Sequence, residues 1–422
     1  MILRKGKENF LWLVAFSAPL ASTLLAMGGL AFYLTFISLY FSQQGYGQVP
    51  IGFLQGAYFF GLFTGAFFLE KILRRIGHVQ MLALSGSLLT ATILSQALTM
   101  NLYLWVATRF LAGIALASFY IVVECWMLDR SEFHQRGLVL SLYMFVLNAG
   151  YALGQQFIQV ISFDRSDAFV IASLLTATSI IPVVLSTKKL TLPSAESGIK
   201  LVKLVKISPF GTSCCLASGL LLGALYSFLP VAVKENHILG AQLVAILVVG
   251  GLIAQWPLGK LSDLIDRRKL LLVLCLFLFG INLLLLFLGI SASIYCLALI
   301  LVLGGVVFTM YPISLTQVAD HLKHDQLAAG TSALLLLYGG GSAVGPILSA
   351  YVMQYVGTEG LFIFLAAIGL ILSLQGLNTV RVKKPIPEEE KEVFVALPRT
   401  TSVAYEMDPR IEEEEEYPSY ES

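Results

Sequence analysis

Charge is scarce in this chain. Lys, Arg, Asp and Glu make up 13% of its 422 residues, about half the share of a soluble domain. They are also unevenly spread, because 18 of them fall between Arg381 and Ser422. So few charges cannot cover a water-facing surface over the preceding 380 residues, which excludes a soluble enzyme, a nucleic-acid binder and a disordered scaffold. Basic and acidic residues number 27 and 26, so the balance calls for no polyanionic partner. Cysteine is scarce too. Cys125, Cys214, Cys215, Cys275 and Cys296 include no pair at metal-ligand spacing, so neither a metal site nor a disulfide framework is expected. Catalytic strings such as G-x-S-x-G and H-E-x-x-H are absent. Ala254 stands where a phosphate-binding loop ending in Gly259-Lys260 would need glycine. No enzyme, ATP-driven pump or cofactor is therefore expected.

What the chain has is apolar sequence: 57% hydrophobic residues and a mean hydropathy of +0.82. A bilayer core of about 30 Å needs about 20 apolar residues per helical crossing. Twelve stretches qualify. They are Leu11–Phe41, Ile51–Leu69, Gln80–Leu98, Tyr103–Trp126, Leu138–Ile161 and Ala168–Leu185, then Pro209–Leu229, Leu239–Leu258, Leu270–Ile290, Ala292–Leu315, Ala328–Tyr355 and Gly360–Leu377. With the N-terminus in the cytoplasm, 24 of the 27 Lys and Arg residues fall on the inner side. The outer loops keep only Arg165 and Lys234, and Arg109 lies within the fourth span. A missed or invented span would scramble this asymmetry, so both termini are expected in the cytoplasm.

The fold class is thus an all-α polytopic membrane protein of twelve helices. Residues 1–186 form one six-helix bundle, 187–206 a lysine-rich cytoplasmic linker, and 207–380 a second bundle. The halves echo each other about 190 residues apart: Gly150-x-x-x-Gly154 answers Gly341-x-x-x-Gly345, and Asp129 answers Asp320. Small residues at spacing four are packing devices, which assigns Gly113, Gly150, Gly154, Gly341 and Gly345 to helix contacts. Residues 381–422, with glutamate runs at 388–390 and 412–416, read as a disordered acidic cytoplasmic tail.

The most specific string is Gly259-Lys260-Leu261-Ser262-Asp263-Leu264-Ile265-Asp266-Arg267-Arg268. It resembles the G-x-L-[AS]-D-x-x-[GD]-R-[RK] loop of the major facilitator superfamily. Gln255-Trp256-Pro257, Phe119 to Trp126, Tyr311-Pro312 and Leu337-Tyr338-Gly339-x-Gly341-x-x-x-Gly345-Pro346 narrow the resemblance to the YcaD-like transporters of bacteria. It covers the twelve spans but not the tail. The resemblance implies two pseudo-symmetric bundles in the bacterial inner membrane, rocking about a central site, with the 259–268 loop as an inner-side latch. Asp263 is expected to face a helix N-terminus or an arginine across the seam between the halves, while Arg267, Arg268 and Lys269 anchor the loop to anionic lipid. In the first half Arg74 stands at the position of the loop's acid, and Glu70 can substitute for it.

Two charges lie inside the fourth span, where burial is costly and a protein- or water-facing position is expected. Arg109-x-x-x-Gly113 resembles the superfamily signature in which the arginine faces the central pathway; binding an anionic group and stabilising the bundle are its two open roles. Glu124 is expected to pair with Arg130 or Arg136 as a gating ion pair, or to couple protons. The expected cavity lining is Tyr120, Asn148, Gln155, Tyr226, Gln255, Tyr311 and Tyr338, suited to a small polar or amphipathic solute. The expectation is a monomeric secondary transporter of a small organic solute, proton-coupled through Glu124 if coupled at all, with export favoured over import. The alternative is a non-transporting sensor or docking protein that acts through its acidic tail.

Overall fold

In the computed structural model the chain is described over residues 2–160, 165–185, 201–233, 236–382 and 391–410. Among the described residues twelve helical spans are long and apolar enough to cross a membrane, the fifth and sixth each running through a short break. In the first half their main helices are α1 (Ile2–Gln43), α2 (Gln48–Ile76), α3 (His78–Leu98), α4 (Leu102–Arg130), α5 (Arg136–Gly154) and α6 (Arg165–Thr178). In the second they are α7 (Pro209–Phe228), α8 (His237–Leu264), α9 (Arg267–Leu288), α10 (Ile294–Ala319), α11 (His324–Val356) and α12 (Gly360–Val382). Phe67, Phe68, Leu276, Phe277 and Phe287 point outward. An exposed apolar rim of this kind suits a bilayer rather than water.

The expected spans all form, with local differences. The sixth breaks after Thr178 and resumes at Ile181–Leu185, because Pro182 lacks the N–H that would bond back to Thr178. The fifth breaks at Gln155 and Gln156 and resumes at Phe157–Val160. Side-chain caps start several helices: Asn101 accepts from Leu104 N–H at 3.2 Å, Asn236 from Leu239 N–H at 2.9 Å, and Asp266 from Arg268 N–H at 3.0 Å.

The duplication is visible as repeated glycine seats. A Cβ on Gly113 would lie 2.1 Å from the Tyr58 carbonyl of α2, and one on Gly304 1.9 Å from the Leu247 carbonyl of α8. These are equivalent crossings, α4 on α2 and α10 on α8. In the same way Gly154 abuts Gly28, so α5 crosses α1, while Gly341 and Gly345 abut Leu216 and Leu220, so α11 crosses α7. Only hydrogen fits at such approaches, which is why these positions carry no side chain.

Two expectations about the non-membrane segments change. Residues 187–200 of the expected linker lie outside the described residues, but Leu201–Ile207 is a short helix with Leu204 buried. The tail is not a solvated segment over 391–410. Leu397, Val403, Ala404, Tyr405 and Met407 are buried in one hydrophobic cluster with α4, α5 and α10. A short 3-10 turn, Val403–Met407, holds the last four of them. The rest of the tail, 383–390 and 411–422, lies outside the described residues.

Candidate functional site

The halves meet around a chamber. At the end away from the basic loops, α2 packs tightly on α11: a Cβ on Gly52 would lie 2.6 Å from Ala350 Cβ, and one on Gly56 2.8 Å from the Ala343 carbonyl. Gln43 at the end of α1 sits 2.7 Å from His237 at the start of α8. Pro346 belongs to this closure, since its carbonyl lies against Gly52. Between this seal and the basic end lies a cavity with about 160 Å³ of free space.

The wall is largely apolar, built of aromatic rings, leucines and two methionines. Tyr58, Tyr120, Tyr151 and Met27 come from the first half, and Tyr226, Phe308 and Tyr338 from the second. Tyr151 and Tyr226 touch across the seam with ring centroids 4.6 Å apart. Tyr120 Oη lies 3.1 Å from Met27 Sδ, and Asn148 donates to the Met144 carbonyl at 2.7 Å. Of the expected lining residues, Tyr120, Asn148, Tyr226 and Tyr338 are on this wall. Gln155 is not; it is buried and turned to the Ala31 carbonyl at 3.3 Å. Gln255 is buried in α8 away from the wall. Tyr311 lies behind Tyr338, its hydroxyl bonded to that of Tyr405.

Arg109 does not face the pathway. Its guanidinium sits 4.3 Å from the Tyr58 ring centroid and 5.6 Å from that of Tyr33, and donates to Gln55 Oε1 at 2.9 Å. Tyr58 lies on the chamber wall, whereas Arg109 lies behind it and is 1% exposed. Between the two open roles, this placement is that of a bundle-stabilising cation; cation–π contacts gain strength when desolvated.

Glu124 is fully buried, but neither expected arginine reaches it. Arg130 lies over the Trp126 ring at 5.3 Å, and Arg136 over Phe133 at 5.3 Å. The carboxylate instead accepts from Tyr143 Oη at 2.9 Å and from the hydroxyls of Thr400 and Thr401 in the tail. Asp129 and Arg130 form the last turn of α4. The residue before Thr400 is equally engaged. Arg399 donates to the Phe308 carbonyl and lies 5.0 Å from the Phe308 ring centroid and 5.7 Å from those of Tyr311 and Tyr338. Arg399 and Thr400 thus form the chamber's boundary at the basic end. Arg399 is the one basic side chain on the wall among the described residues.

The 259–268 loop is the tail's second anchor. The Phe394 ring occupies the space beside Gly259, where a Cβ would lie 2.3 Å from it. Asp263 accepts from Phe394 N–H at 2.9 Å and pairs with Arg267 at 2.7 Å. Arg267 also pairs with Asp320 and donates to the Glu392 carbonyl, while Glu392 N–H donates to Asp320 at 3.0 Å. The loop's charges therefore close on one half and on the tail. Asp263 does not reach an arginine across the seam, and Arg267 and Arg268 are buried rather than lipid-facing. Burial pushes the Asp266 carboxyl up, but hydrogen bonds from Arg268 outweigh it and hold it below the ordinary value. At Asp320 burial wins and raises the carboxyl, against the pull of Arg267. In the first half Glu70 and Arg74 pair at 2.7 Å one turn apart on α2.

Composition hid the tail's part in the site. Phe394, Val395, Leu397, Val403, Tyr405 and Met407 form an apolar island between the two glutamate runs, and averaging over 42 residues dilutes it. Tyr58, Tyr151 and Phe308 carried no pattern separating them from ordinary packing aromatics.

The sequence profile of the Major Facilitator Superfamily matches residues 11–252 and 235–406. The chain is 29% identical over 376 residues to an uncharacterized MFS-type transporter, YcaD, of Shigella flexneri serotype 5b, covering 87% of this chain and 96% of that one. The Salmonella typhi protein of the same name is 29% identical over 369 residues, covering 86% and 94%. Among solved structures, the nucleoside transporter NupG superposes with a TM-score of 0.70 at 12% identity, covering 87% of this chain and 100% of that one. A bacterial homologue of the human lysosomal transporter Spinster, in an inward-facing and unoccupied conformation, gives 0.65 at 13% identity, covering 86% and 95%. At such identities these two establish the fold alone.

Proposed function

The chain belongs to the Major Facilitator Superfamily, a multi-pass membrane transporter and not an enzyme, and from that premise we propose that its solute is a small amphipathic organic molecule carried in the aromatic chamber. The observation that carries this reading is the chamber itself: it lies between the halves, is lined from both, and is sealed at one end by α2 on α11. Flat apolar walls with phenol and amide groups suit a solute with an apolar body and few polar groups. The lysine and arginine asymmetry supports a cytoplasmic position for the basic end, and with it the tail, in a bacterial inner membrane. The chamber then opens inward once the tail leaves and exchanges solute with the cytoplasm, and export is the direction proposed. Glu124, buried beside the chamber, is the candidate proton-coupling acid. The protein acts as a monomer in this scheme, since each chain holds a complete chamber.

A disulfide trap tests alternating access. Gln43 and His237 touch by the tips of their side chains at the sealed end, so Gln43→Cys with His237→Cys in a background without the five native cysteines should lock that seal when both thiols are oxidised by one bis-methanethiosulfonate linker, which spans a gap too wide for a direct disulfide. Counterflow in proteoliposomes, using a solute identified by a thermal-shift panel, should stop on oxidation and return on reduction. A ligand at ten times Kd stabilises by about 1.4 kcal/mol, enough to register in the panel. Flux that continues through the oxidised pair would sink the proposal.

A further inference from the structure

Arg399, Thr400 and Thr401 are consecutive, and together they satisfy the two halves' unmet chemistry at the chamber. Arg399 places a cation among the rings of Phe308, Tyr311 and Tyr338 in the second half. Thr400 and Thr401 supply hydroxyl donors to the buried carboxylate of Glu124 in the first. From this juxtaposition we infer that the 399–401 segment is a tethered competitor seated in the solute site, and that the solute it mimics is an amphipathic organic cation. This rests on the reading of the chamber as a transport site.

The guest's charge follows from what the segment leaves behind. With Arg399 withdrawn, no basic side chain remains on the chamber wall among the described residues, so an anion would find no counter-charge there. An aromatic cage for a cation would remain, because rings around a positive group attract it through their negative faces. Glu124 would lose two of its three side-chain donors and keep Tyr143 at 2.9 Å. A buried carboxylate short of donors is costly to leave unmatched, and a nearby organic cation offsets that cost. Arg399 itself is imperfectly served, since its Nε has no hydrogen-bond partner. It is held by its charge among the rings and by one hydrogen bond to the Phe308 carbonyl, and an organic ammonium or phosphonium with aromatic substituents reproduces the charge and the ring contacts.

Size points the same way. The free space with the segment in place is about 160 Å³, close to that of an engineered cavity which admits benzene, whereas solute pockets run to about 300–1,000 Å³. A larger guest needs the segment out. Its affinity is then lowered by the fraction of molecules whose cage is vacant. Because Arg399 grips one half and Thr400 and Thr401 the other, the seated segment also ties the halves together.

The test is equilibrium binding of tetraphenylphosphonium to the purified full-length chain, with tetraphenylborate as a probe of the same shape and opposite charge. Arg399→Ala should bind the cation at least about tenfold tighter than the parent chain and show no such gain for the anion. Adding Glu124→Gln should take back most of that gain. If Arg399→Ala does not purify as a folded species, Arg399→Gln keeps the stem and removes the charge. Unchanged cation affinity in a folded Arg399 variant, or equal gains for both probes, overturns the inference. Proteoliposome flux separates this from the underlying reading. A variant that binds the cation tightly but never moves any solute leaves the site assignment standing and removes the transport reading. One that moves a neutral or anionic solute and binds no cation does the reverse.

Discussion

Thr401 donates a hydrogen bond to Glu124, a residue 277 positions earlier in the chain. The pairing joins the tail to the C-terminal half of α4 and gives a buried carboxylate a donor from outside its own bundle. It also places a titratable acid, the tail and the chamber wall within one set of contacts.

Glu124→Gln tests whether that acid couples protons. The amide keeps an acceptor for the threonine hydroxyls but cannot exchange a proton. Accumulation of solute driven by a pH gradient should fall to the level of passive equilibration, while solute–solute exchange persists. Accumulation that stays intact in proteoliposomes removes Glu124 as the coupling acid.

Gly259→Ala probes the tail's seat. Alanine favours the helix by about 1 kcal/mol over glycine, so the change should not harm α8. Its Cβ would nevertheless lie 2.3 Å from the Phe394 ring, and the ring must leave. Trypsin cleavage after Lys391 and Arg399 should then quicken by about tenfold, read by mass spectrometry of the released fragments. Equal cleavage in both proteins would mean that Phe394 does not hold the tail.

Gly113→Val should destabilise the first half. A Cβ there would meet the Tyr58 carbonyl at 2.1 Å and the backbone of Gly61, so α2 and α4 must part. Overpacking of this kind costs about 1–3 kcal/mol. Tm in detergent should drop by several degrees, and an unchanged melt would contradict the close crossing.

Asp320 makes stability depend on pH in a defined sense. Its carboxyl is raised in the folded protein, so the folded state binds the proton before the unfolded chain as pH falls. Folded protein therefore gains stability through this residue as pH drops through the folded value, and loses that gain above it. Asp320→Asn keeps an acceptor for Arg267 and Glu392 but cannot titrate. Lowering the pH from about 7.5 to about 4.5 should shift the Tm difference in favour of the parent chain. A constant difference would show that Asp320 has an ordinary carboxyl.

The sequence alone determined the twelve crossings and the two halves, and it singled out the 259–268 string. Hydropathy sums over about 20 neighbouring residues, and the lysine and arginine asymmetry is a property of short loops, so both are local quantities that need no contacts. The repeated glycines were legible for a related reason: spacing four lines residues on one helix face wherever the partner lies. Only the tertiary structure decided which charges meet. Arg109 sits behind Tyr58 rather than on the pathway, and Glu124 turns to Thr400 and Thr401 rather than to Arg130 or Arg136. A side chain's direction around a helix, and the choice among several partners at similar chain distance, depend on how the helices pack. The tail was the hardest to read, because its burial rests on a glycine seat and an aspartate in α8, a second aspartate at the end of α10, a buried glutamate in α4 and an aromatic cage from α10 and α11, all far apart in the chain.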